Sequence, residues 1–68
     1  MKMISNYLDS LESYLSDDLK QEVREELEAS ILEQVEDKQQ ELGRELNQLE
    51  QETLLKKLGH PMRVAAAY

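Results

Sequence analysis

Leu19, Val23, Leu27, Ile31 and Val35 recur at every fourth residue, and this spacing constrains the fold more than any other feature of the chain. Four residues turn an α-helix by about 400°, so each step carries the apolar stripe about 40° further around the axis. The buried face is therefore broad. A two-stranded coiled coil needs a narrow seam of alternating threes and fours, whereas a broad face touches two neighbours at once, as the central helix of a bundle does. Ser16, Asp17 and Asp18 precede the stripe. The serine offers a side-chain oxygen to first-turn amides, and the two carboxylates lie at the positive end of the helix dipole. A helix starting near Asp17 and organising the fold is expected.

Upstream, Ile4, Tyr7, Leu8, Leu11, Tyr14 and Leu15 follow steps of three and four and predict a helix over about 3–15. Downstream, Gly43 can take the left-handed conformation that ends a helix, and Asn47 with Glu50 forms an Asn version of the capping box. These signals predict helices over about 17–42 and 48–58. The alternative is an unbroken helix over 17–58 serving as a coiled-coil oligomerisation module. It has support in the spacing of Val35, Leu42 and Leu49 by sevens, since one internal glycine costs only about 1 kcal/mol relative to alanine. Lys56 and Lys57 suit the carbonyl end of the third helix, Gly59 stops it, and Pro61 suits the first position of a short fourth helix over about 61–68. The expectation is an all-α bundle of three helices plus a short C-terminal one.

At 68 residues there is room for one small core, and residues 1–68 read as a single helical domain. Twelve leucines supply most of its apolar volume, with no Phe and no Trp. Cysteine is absent, which removes a disulfide framework and a thiolate zinc site and favours the cytoplasmic side. No apolar run approaches the roughly 18 residues of a membrane span, so the fragment reads as soluble. Net charge is −7, but unevenly spread: residues 1–52 hold all 15 acids and five bases, a balance of −10, whereas residues 53–68 hold Lys56, Lys57, Arg63 and no acid. Basic residues beside a span favour the cytoplasmic face, and the apolar ending Val64 to Tyr68 reads as a chain cut before such a span.

Chemistry finds few footholds. His60 is the only histidine, and a bundle metal site needs further imidazoles on facing helices; a capping or packing role is expected instead. The five serines fall on helices or caps without the strained glycine-flanked turn that exposes a nucleophile. Glu22, Glu25, Glu26, Glu28, Glu33, Glu36 and Asp37 interleave with Lys20, Arg24 and Lys38 at spacings typical of a solvated face. Three clustered bases on an acidic chain offer little to nucleic-acid phosphates. No enzyme activity, cofactor or metal is expected. Tyr7 and Tyr14 read either as core residues with hydroxyls at the rim or as part of a dimer surface.

Three segments carry a family resemblance: Gln34-Val35-Glu36-Asp37, Glu41-Leu42-Gly43-Arg44, and above all Lys57-Leu58-Gly59-His60-Pro61-Met62-Arg63-Val64-Ala65-Ala66. With Tyr7-Leu8, Leu11, Tyr14-Leu15 and the acidic Val23 to Glu28, they resemble the HAAS-type helical domain of bacterial membrane proteins. The family commonly has Asp where His60 stands, so only capping is carried over to that position. The resemblance implies a small cytoplasmic unit at the N-terminus of an inner-membrane protein, followed by transmembrane helices and acting in signalling or protein interaction. It implies no catalytic residues. The expected interaction surface is a small apolar patch drawn from Tyr7, Tyr14, Leu32 and Met62, ringed by acids and suited to a protein partner or to self-association. Nucleic acid is not an expected partner, and the membrane enters only through a segment absent from this chain.

Overall fold

The computed structural model describes residues 1–68. It contains four helices and no strand: α1 (Lys2–Glu12), α2 (Asp17–Leu42), α3 (Gln48–Leu58) and α4 (Pro61–Ala65). At 1.5 Å per residue, the 26 residues of α2 reach about 39 Å, which matches the 38 Å length of a molecule only 19 by 18 Å across.

Local signals account for the middle of the chain. Gly43 closes α2 with φ 71° and ψ 21°, a left-handed conformation in which a side chain is strained even though a Cβ there would meet open space. Asn47 Oδ1 accepts from the Glu50 amide at 2.8 Å, and Glu50 Oε1 accepts from the Asn47 amide at 3.0 Å. The capping box is complete, and these features rule out the continuous helix over 17–58. Gly59 ends α3 at φ 111°, a region that L side chains rarely adopt. Pro61 opens α4 behind His60, whose Nδ1 accepts from the Met62 amide at 3.1 Å. α3 and α4 thus form a bent pair hinged at Gly59 and His60.

Two helix ends fall short of the spacing pattern. α1 stops at Glu12 rather than at 15, because the Tyr14 amide bonds to Leu11 O and the Leu15 amide to Glu12 O, i to i−3 bonds that tighten the chain into a turn. The Ser13 hydroxyl reinforces this turn by donating to Ser10 O. α4 ends at Ala65 rather than at 68 for the same reason, with Ala67 bonded to Val64 O and Tyr68 to Ala65 O. At the start of α2, Ser16 occupies the N-cap position but its hydroxyl makes no capping bond. Its carbonyl accepts from Leu19 and Lys20, while Asp17 and Asp18 supply the expected charge.

Eleven apolar residues form one core: Ile4, Tyr7, Leu8 and Leu11 from α1, Val23, Leu27, Ile31 and Val35 from α2, then Leu46, Leu55 and Ala65. No polar or charged residue is buried. The packing corrects one expectation, since α1 rather than α2 is the element that packs extensively against each of the other three helices. The reason is geometric. The buried residues of α1 lie within about 100° of arc over two turns, a compact face around which neighbours can gather, whereas those of α2 spiral through about 120° over more than three turns.

Candidate functional site

An interaction surface requires apolar side chains that the core leaves uncovered. Tyr14, Leu32 and Met62 meet this requirement, being 49%, 49% and 57% exposed. Tyr7 does not. Three residues after Ile4 and four before Leu11, it shares their buried face, and its hydroxyl donates to Gly59 O at 2.8 Å. Burial pushes the phenol pKa above its ordinary value. Tyr7 is thus a core residue with its hydroxyl satisfied, and it leaves the expected surface set.

The remaining three do not share one patch. Tyr14 lies in the turn after α1, its ring centroid 6.4 Å from that of His60 and tilted by 60°. Met62 follows two residues after His60, so these two flank the α3–α4 hinge. Leu32 instead lines a shallow hollow of about 260 Å³ with Met1, Ile4, Ser5, Leu8 and Glu28, at the opposite end of α1. The length of α1, about 16 Å, separates the two patches. A larger hollow of about 500 Å³ lies between α1 and the α3–α4 pair, over Met3, Tyr7, Leu55 and Pro61, with the Glu52–Lys56 ion pair (3.2 Å) at its rim.

Charge is organised by Arg24. From α2 it reaches Asp9 at 2.7 Å and Glu12 at 3.0 Å on α1, with Glu28 of its own helix at 3.8 Å. The hydrogen bond that Arg24 donates to Asp9, then the one it donates to Glu12, raises the guanidinium pKa further. The sequence placed Arg24 on a solvated face; the signal for its tying role is the pair of acids three apart on α1. At the second turn, Arg44 pairs with Glu50 at 2.6 Å. That contact, followed by the Asn47 amide, lowers the Glu50 pKa to about 2. The other carboxylates of α2 are less well matched. Asp18, Glu22, Glu25, Glu26, Glu33, Glu36 and Asp37 have no cation within salt-bridge distance. No group of three or more His, Cys, Asp or Glu side chains is placed to hold a metal ion.

A compact all-α domain whose surface presents two small apolar patches and a rod of unpaired carboxylates is the class these features define. The chain belongs to the HAAS family, whose model matches residues 6–67. The match runs from within α1 through α4 and so spans both patches except Met1, Ile4 and Ser5. No curated protein and no solved structure matches the chain.

Proposed function

We propose that the domain is a non-enzymatic protein-interaction or signal-relay module on the cytoplasmic side of a bacterial inner-membrane protein. The observation that carries this reading is the exposure of Tyr14, Leu32 and Met62 on a domain whose α2 carries uncompensated acids. Half-exposed apolar side chains rimmed by charge favour contact with a complementary protein surface. The membrane setting draws on the family resemblance and on the basic balance of residues 53–68. No helix here is long and apolar enough to cross a membrane, so in this reading the span belongs to a segment absent from the chain.

The test compares the domain with a variant carrying Tyr14→Ser, Leu32→Glu and Met62→Glu, both checked for helicity by circular dichroism. Co-purifying proteins are quantified by mass spectrometry and self-association by sedimentation. The variant is expected to stay folded and to lose at least tenfold of its specific partners or of its self-association. An unchanged profile in both measurements overturns the proposal.

A further inference from the structure

The hollow at Leu32 has a chemistry of its own. Its floor is Ile4 and Leu8, both buried, and its walls are Met1 and Leu32, 50% and 49% exposed. It is therefore a notch with an apolar floor and a rim that Ser5 and Glu28 make partly polar, open to solvent, between the start of α1 and the middle of α2. At 100° per residue, Glu25 lies about 20° from Leu32 around α2, and Glu28 and Glu36 about 40° to either side. Glu25 and Glu36 are exposed and have no cation within salt-bridge distance, while Glu28 lies at a loose 3.8 Å from an Arg24 already engaged by Asp9 and Glu12. At the start of α1, the Met1 ammonium and the exposed Lys2 are the cations next to the notch. The Met1 lip carries no carboxylate, so the negative charge is all on the α2 side.

We infer that this notch is the docking site for a basic amphipathic helix of a partner protein. One apolar side chain of the partner fills the space between Met1 and Leu32, and its Lys or Arg residues, one turn to either side, meet Glu25, Glu28 and Glu36. The inference rests on the reading of the domain as an interaction module and names the face and the partner chemistry. Charge selects this occupant over a second copy placed face to face, which would bring the three glutamates of each chain together at like-charge distance. Helix-in-groove recognition supplies the general form, with anchors at i, i+3, i+4 and i+7.

The experiment titrates the isotope-labelled chain with two synthetic 18-residue peptides of identical Leu and Lys composition, one with leucines at helical spacing and one scrambled. Amide shifts report the site. The amphipathic peptide is expected to bind saturably, shifting Ser5, Leu32 and Glu36, and at least tenfold more tightly than the scrambled one. Leu32→Glu, at a half-exposed position that does not threaten folding, is expected to weaken binding at least tenfold, as is Glu25→Lys with Glu36→Lys. Leu49→Glu, at a residue 69% exposed on α3, is expected to change it less than twofold. Equal binding of both peptides, or equal effects at Leu32 and Leu49, overturns the inference. Shifts centred on Tyr14 and Met62 overturn this face while leaving the interaction module intact. Concentration-dependent shifts at Leu32 without peptide assign the notch to a second copy and overturn it as well. The triple variant described above tests the broader reading separately.

Discussion

α1 and α2 contribute the same number of residues to the core, four each, yet α1 does so in 11 residues and α2 in 26. The shorter helix is the one around which the domain is packed. Leu8 and Leu11 are among the three most completely covered side chains, and both sit where the other helices converge. α2 is long for another reason. Beyond Val35 it has no buried residue, and its outer face presents carboxylates. The difference separates two uses of a helix: α1 supplies cohesion and α2 supplies surface.

That contrast can be broken by equal truncations. Leu11→Ala on α1 is expected to cost about 4 kcal/mol and Leu27→Ala on α2 about 2 kcal/mol, both within the usual range of about 2–5 kcal/mol for this change. A core this small rarely supplies more than about 3–5 kcal/mol, so Leu11→Ala brings the domain to the edge of unfolding at 25 °C, as read by urea denaturation. Equal losses at the two sites would remove the distinction. A smaller effect sharpens it. Tyr7→Phe deletes the bond from α1 to the α3–α4 hinge and is expected to cost about 1 kcal/mol. Because the folded phenol ionises above its ordinary 10.0, folding is favoured below pH 10 and weakens as pH rises past it; in Tyr7→Phe this alkaline decline is reduced.

The smallest effect belongs to the turn that follows α2. Glu50 has a pKa of about 2 when folded against an ordinary 4.5. The folded carboxyl therefore binds fewer protons, and its stabilisation is present above pH 4.5 and is lost as pH falls toward 2. Hydrogen exchange across that window is expected to rise at the first turn of α3 before it rises at Leu8 and Leu11, and Glu50→Gln is expected to flatten the change. Simultaneous loss at both places would mean that the turn and the core open as one unit.

What the sequence made legible was local. Gly43, the Asn47–Glu50 box, Gly59 and Pro61 act within three or four residues of themselves, and the bounds of α2 and α3 follow from them. The ends of α1 and α4 were less legible because i to i−3 bonds compete with continued helix, and the apolar pattern runs on through Leu15 and Tyr68 regardless. Long-range choices were out of reach. The Tyr7 hydroxyl finds its acceptor 52 residues away, and Arg24 finds Asp9 and Glu12 only once α1 lies against α2. The surface was legible at Tyr14, Leu32 and Met62 as types of residue, but their division between two ends of α1 depends on tertiary packing.

Gly59 joins these observations mechanically. Its carbonyl is gripped by Tyr7, and the bend it allows turns the chain toward Tyr68. A pull on the C-terminus would therefore reach α1 through that one phenol as well as α3 along the backbone, so the load would be shared between two helices of 11 residues each.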